Sequence, residues 1–193
     1  MELVSTRKLE SLKQVLQEPN SSGPNPVYKV FSFKSPSEWA NNTVIKPGKL
    51  GREYTKTFGH YHTHPLEELY KVESGEGVLL LQKKHIGNGE WNPDIVDEVL
   101  LIRAKAGDEI LITPEYGHSW SNIGNQELVL LDNWNDGHVP QDYEEIEKHQ
   151  GMAYYITEEN GIATAIPNPT YKDVPVPQWV DALELQQGIG RLG

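Results

Sequence analysis

Between Thr57 and Gly75 the chain reads TFGHYHTHPLEELYKVESG, and His60, His62 and Glu68 within it are residue types that ligate metals. Alternate side chains of an extended strand share a face, so His60 and His62 can aim two imidazoles at one ion without distorting the backbone. The spacing after His62 leaves Glu67 and Glu68 as candidates for a carboxylate ligand. Counting back from the turn at Gly75, and the phase of the strand that follows, favour Glu68. A fourth ligand must come from far along the chain, and His118 in TPEYGHSWSN is placed for it. The chain has no cysteine, so a bound metal would rest on nitrogen and oxygen donors alone. Three imidazoles and a carboxylate suit Fe(II), Mn(II), Ni(II) or Zn(II), and affinity by itself does not choose among them. Of the other histidines, His64 precedes Pro65 in a turn and reads as a spare, while the polar surroundings of His85 and His149 predict exposure.

Strands must hold such a ligand set, and the pattern supplies them. Period-two alternation predicts strands over 27–33, 43–45 and 52–62, the last with Gly59 inside it, where a bulge or a close backbone approach is expected. Further strands are predicted over 66–72, 78–82, 98–103, 109–112 and 128–131, separated by glycine-bearing turns. Many short strands at close spacing argue for a sandwich or barrel rather than an α/β sheet. Leu9, Leu12 and Leu16 have helical spacing and predict an amphipathic helix over 5–17, with Ser5 or Thr6 as its cap. Residues 18–26 read as a loop, 37–42 as a turn or helical stub, and GNGEWNPD as a longer loop. Residues 142–149 predict one or two helical turns, and 153–157 with 162–166 a hairpin across EENG. The proline-rich tail PNPTYKDVPVPQWV cannot be a central strand and is expected to wrap a surface or a neighbouring subunit.

At 193 residues the chain is long enough for one well-buried core, and we expect a single domain over 1–193. Its core would span about 27–135, with a helix and loop over 1–26 and a hairpin and tail over 136–193. The formal net charge of -11 argues against nucleic acid and anionic membrane as partners. The N-terminal segment lacks the apolar run of a signal peptide, and no stretch has the length of a membrane span, so a cytoplasmic location is the expectation.

Written as spacing, the two ligand segments are H-x-H-x5-E-x6-G, from His60 to Gly75, and G-x6-P-x3-H-x3-N, from Gly107 to Asn122. This pair resembles the two signature motifs of the cupin superfamily, which implies an all-β, double-sheet cupin (jelly-roll) barrel with a metal held by three histidines and a glutamate. The run TVIKPGKLGREYTKTFGHYHTHPLEELYKVESGEGVLLLQ is further similar to the cupin-type phosphoglucose isomerases of archaea and some bacteria. The likeness continues through ITPEYGHSWSNIG and, more weakly, NDGHVPQDY and ITEENG. It implies His60, His62, Glu68 and His118 as ligands of one divalent metal, Fe(II) first, with Glu68 also the catalytic base. It implies Thr43, Thr57 and the Gly59 backbone on a substrate phosphate, Tyr28 closing over it, and His138 and Tyr143 near the sugar. Tyr70 shares strand parity with Glu68 and should face the same cavity. The implied activity is interconversion of glucose 6-phosphate and fructose 6-phosphate by a homodimer, in glycolysis and gluconeogenesis. The cupin fold also hosts other sugar isomerases, non-heme iron dioxygenases and non-catalytic sugar binders, and these stand as alternatives.

Overall fold

The computed structural model describes residues 1–35 and 37–183, so the end of the expected tail, 184–193, lies outside the described residues. The strands are β1 (Glu2–Arg7), β2 (Tyr28–Ser32), β3 (Asn41–Ile45), β4 (Lys49–Leu50), β5 (Glu53–Tyr54), β6 (Glu68–Ser74) and β7 (Glu76–Gly87). They continue with β8 (Glu90–Lys105), β9 (Glu109–Ile112), β10 (Tyr116–Asn122), β11 (Leu128–Asp132), β12 (Tyr154–Glu159), β13 (Ile162–Pro167) and β14 (Gln178–Asp181). Two short helices, α1 (Leu9–Leu12) and α2 (Gln141–Lys148), complete the elements used below.

One six-stranded sheet has the order β1-β2-β3-β11-β6-β9, and a four-stranded sheet has the order β10-β7-β8-β14. Their apolar faces share one core, with Ile45, Val72 and Leu130 of the first sheet and Leu79, Leu81 and Trp120 of the second in the same cluster. This is the double-sheet, jelly-roll arrangement expected. A third sheet, β13-β12-β5-β4, closes one side. Its hairpin turns on Asn160 and Gly161, both at positive φ (53° and 78°), as a two-residue turn matched to strand twist requires.

Several elements depart from the sequence reading. Residues 5–7, expected in a helix, belong to β1, where Ser5, Thr6 and Arg7 pair with Val30, Lys29 and Tyr28. The open edge of β2 offers this segment a hydrogen-bonded ladder. The helix is confined to α1 and a following 3-10 turn at Lys13–Val15, starting after Lys8 with no side-chain cap from Ser5 or Thr6. The leucine spacing nonetheless marks burial, since Leu12 and Leu16 are fully enclosed. Truncating either to alanine would cost roughly 2–5 kcal/mol. A buried ion pair ties this segment down: Lys56 Nζ donates to Glu53 at 2.5 Å and to Val15 O at 2.7 Å, and Glu53 accepts the Gln17 N–H at 2.7 Å.

The predicted strand over 52–62 is regular only at β5; beyond it, single bridges join Lys56 to Ser121 and His60 to His118. Gly59, at φ +85°, turns the backbone between those two bridges. No helical stub occupies 37–42; Asn41 and Asn42 open β3. The expected loop at GNGEWNPD is instead part of a long β7–β8 hairpin that turns on Asn88 and Gly89, both at positive φ. The tail wraps this same chain: β14 pairs in parallel with β8, covering an edge that would otherwise be open. His149 is buried rather than exposed, its Nδ1 on Glu145 O at 2.8 Å and its ring stacked on Tyr171. His85 is half-buried against Asp97 at 2.7 Å. No helix among the described residues is long and apolar enough to cross a membrane.

Candidate active site

Four side chains converge where the two main sheets meet. Glu68 opens β6, His118 sits on β10, and His60 faces it across a bridge with reciprocal backbone hydrogen bonds of 3.1 and 2.9 Å. Two residues on, His62 returns to the same side. Candidate ligand atoms of His60, His62, Glu68 and His118 all lie within 4.8 Å of one another, and all four residues are buried. Glu67, the other carboxylate the spacing allows, is exposed, as is His64, which lies 3.3 Å from Asp136.

The electrostatics of this group favour a bound cation. Burial drives the Glu68 carboxyl upward, but the close approach of the His118 ring and the hydrogen bond with His62 outweigh it and hold the group at about 2, so it is ionised. Burial and the neighbouring imidazoles push His60 well below the ordinary histidine value, and burial lowers His118. Both rings are therefore neutral at neutral pH and carry a lone pair. Glu68 Oε2 lies 2.9 Å from His62 Nε2 and 3.1 Å from His118 Nε2, yet the second contact is not aligned as a hydrogen bond. His60 Nε2, His62 Nδ1 and His118 Nδ1 are likewise buried with no hydrogen-bond partner. Buried nitrogens without partners beside a carboxylate are costly, and a cation among them would satisfy several at once. The donor set thus fits a divalent metal of the borderline class.

Two members of the cluster, His60 and His118, line a cavity of about 570 Å³, within the range of small-molecule sites. Tyr28, Thr43, Thr57, Gly59, Tyr70, His138 and Tyr143, all singled out by sequence, line it with His60 and His118. Gly59 could not be another residue without rearrangement, because a Cβ there would come within 2.8 Å of Met152 Sδ and the φ is +85°. The amides on either side are used: Phe58 N–H reaches Tyr28 Oη at 3.4 Å and His60 N–H reaches His118 O at 3.1 Å. Thr57 Oγ1 accepts the Trp120 N–H at 3.0 Å, which leaves its own hydroxyl proton to donate. Tyr70 stands well above the usual phenol range through burial and then the charges of Glu68 and Asp132, so it is a neutral donor.

Sequence reasoning missed several cavity residues. Arg7 lines it from β1, a position hidden by the helix reading. Asp132 ends β11 directly across from Tyr70 in the ladder, and burial followed by the charge of Glu68 raises its carboxyl to about 7. Its Oδ1 accepts from Asn41 Nδ2 at 2.8 Å and from Trp134 N at 3.1 Å. Trp134 lays its ring against His62, with centroids 3.7 Å apart. His138 Nδ1 lies 3.4 Å from Asp142 Oδ2, a carboxylate that the Thr63 and Val139 N–H groups fix at 3.0 Å each. An acid four residues after a histidine at a helix start was the legible signal for that pair.

The chain matches the family model described as Glucose-6-phosphate isomerase (GPI) over residues 7–172. It is 30% identical over 154 residues to the glucose-6-phosphate isomerase of Thermococcus kodakarensis, covering 76% of this chain and 74% of that one. To the enzyme of the same name from Pyrococcus furiosus it is 29% identical over 153 residues, covering 76% and 73%. Among solved structures, the CENP-C cupin domain of Drosophila melanogaster is similar at 17% identity and a TM-score of 0.37, over 62% of this chain and 79% of that one.

Proposed function

The chain belongs to the glucose-6-phosphate isomerase family, and from that premise we propose that this cavity interconverts glucose 6-phosphate and fructose 6-phosphate. The observation that carries the reading is a buried three-histidine, one-glutamate cluster with unpartnered nitrogens, reached through His60 and His118 from a cavity whose wall carries hydroxyls around Gly59. In this reading His60, His62, Glu68 and His118 hold one divalent metal, Fe(II) first and Mn(II), Ni(II) or Zn(II) as alternatives. Such a metal, when bound, supplies Lewis acidity toward the substrate's C1 and C2 oxygens.

The remaining work falls to the chain's own residues. Glu68, ionised and enclosed, accepts the proton from C2 and returns it to C1 while the O2 hydroxyl proton passes to O1, so that the carbonyl moves from C1 to C2 through a cis-enediol. Thr43, Thr57 and the Gly59 N–H hold the phosphate, with Tyr28 packed over them. Tyr70, His138 and Tyr143 donate to sugar oxygens, and Asp142 keeps the His138 ring in place. Enclosure by Trp134 and Trp120 excludes water from the reacting carbons. The same reading takes 1–193 as one domain working as a cytoplasmic homodimer in glycolysis and gluconeogenesis.

The deciding experiment is isomerase activity on glucose 6-phosphate, with protein as purified, after chelation, and after refilling with each metal in turn. Activity lost on chelation and regained with one metal is the expected result. Bound metal with no fructose 6-phosphate formed would overturn the reading in favour of a non-catalytic binder. Oxygen uptake would overturn it in favour of a dioxygenase.

A further inference from the structure

A phosphate dianion entering a protein of formal charge -11 needs more than hydroxyls to offset the surrounding field. Among the described residues that line the cavity, Arg7 is the single lysine or arginine. It pairs with Tyr28 across the β1–β2 ladder, and the Tyr28 hydroxyl in turn accepts the Phe58 N–H, next to Gly59. Rings, and not carboxylates, flank the guanidinium: its Cζ lies 5.7 Å from the Phe58 ring centroid and 5.5 Å from that of Tyr143. It also interacts with the Tyr28 and Tyr143 hydroxyls, lowering both phenols against the stronger upward push of burial. Arg7 forms no ion pair among the described residues, whereas Arg52 pairs with Glu18 at 3.0 Å.

We propose that Arg7 is the charge-bearing member of the phosphate subsite and sets the preference for a phosphorylated over a neutral sugar. The inference rests on the sugar-phosphate reading above. A guanidinium carries five N–H donors in a planar fork, more than two phenol oxygens can take, and the fork matches two phosphate oxygens. Packed against two adjoining rings, it needs little ordering when the anion arrives. The hydroxyls of Thr43 and Thr57 and the Gly59 N–H give direction to the remaining phosphate oxygens, while Arg7 supplies the charge. Because β1 is an edge strand, this cation comes from the N-terminal segment, outside both metal-binding motifs.

The test compares wild type with Arg7→Gln and Arg7→Lys at constant ionic strength. Inorganic phosphate and a phosphate-free hexitol are each titrated against tryptophan fluorescence, and KM for glucose 6-phosphate is measured alongside. Loss of a charge-assisted contact predicts roughly ten- to hundredfold weaker phosphate binding and higher KM in Arg7→Gln, with hexitol affinity moving far less. Arg7→Lys, which keeps charge but not the fork, should fall between. Unchanged phosphate affinity in Arg7→Gln would overturn the proposal, as would an equal loss for phosphate and hexitol, which marks a packing role. Should Arg7→Gln fail to fold, phosphate affinity in Arg7→Lys equal to wild type would overturn it, and a severalfold loss there with hexitol binding intact would sustain it. If wild type binds phosphate through Arg7 yet does not isomerise glucose 6-phosphate, the isomerase reading falls and the anion subsite stands.

Discussion

The two ends of the cavity are built on opposite principles. At one end, neutral imidazoles and an ionised carboxylate are crowded together with buried nitrogens that no protein group satisfies, an arrangement that strains the apoprotein. At the other, Thr57, Phe58 and His60 are bonded into the backbone, and Gly59 is fixed by steric need. The first end is poised for a change of charge, and the second for recognition with little rearrangement. The contrast assigns chemistry to Glu68 and affinity to the threonines, so variants at the two ends should fail in different kinetic terms. Glu68→Gln gives the sharpest separation. With metal still bound, kcat should fall by roughly 10²–10⁴ while KM changes little, since the amide keeps shape but cannot accept a proton. Near-normal turnover in a metal-loaded Gln variant would break the assignment and favour a hydride shift.

Asp132 lines the same cavity and tests whether the strain belongs to the metal end alone. Its folded carboxyl titrates at about 7, against 3.8 for the ordinary group, through burial first and the Glu68 charge second. The native state therefore holds a proton that the unfolded chain has lost, and stability from this group declines as pH rises from about 4 to 7. Glu68 has the opposite sense: its value of about 2 against 4.5 gives stability present above 4.5 and lost as pH falls toward 2. The lowered His60 and His118 also act oppositely to Asp132, destabilising the fold as pH drops below the ordinary histidine range. The difference between wild type and Asp132→Asn isolates the one group, because the amide oxygen can keep both hydrogen bonds to Asn41 and Trp134. The variant should gain on wild type by a few kcal/mol between pH 4 and 7 in chelated protein. Refilling with metal should shrink the gap, since a cation beside Glu68 offsets the charge that Asp132 feels. A gap that is flat with pH, read by thermal melts, would remove Asp132 from this account.

The same contrast explains what the sequence revealed. The metal end rests on side chains whose types are rare and whose spacing is short-range within each motif, so His60, His62, Glu68 and His118 could be named before any fold was known. Their scaffold was less visible. All of β10 is buried, so its polar run YGHSWSN shows no alternation, and the strand bearing His118 went unrecognised. Gly59 was legible as a bulge, but its φ of +85° shows that the predicted long strand breaks there. Arg7 and Asp132 escaped because nothing local marks them: each stands at the end of an edge or ladder whose partner lies far away in sequence. The hairpin at Asn88 and Gly89 carried a clear Asn-Gly signal, overridden by reading the polar stretch around it as a loop.

At the recognition end, Thr57→Ala and Thr43→Val separate two residues with one assigned role. Thr57 Oγ1 accepts the Trp120 N–H at 3.0 Å, so its removal strands a part-buried donor as well as a phosphate contact. That variant should lose about 1–2 kcal/mol of stability and raise KM roughly tenfold, with kcat affected least. Thr43 sits mid-strand in β3, opposite Val30 on one side and Leu130 on the other, and its hydroxyl makes no hydrogen bond among the described residues. Valine preserves its branched shape and strand preference, so the ladder should be indifferent to the exchange. Thr43→Val should therefore leave the stability within about 0.5 kcal/mol of wild type and raise KM by severalfold, the effect of one lost neutral hydrogen bond. A melting temperature that falls as far as in Thr57→Ala would show that the Thr43 hydroxyl holds the sheet. An unchanged KM would take Thr43 out of the phosphate subsite and leave that end to Thr57, Gly59 and the neighbouring cation.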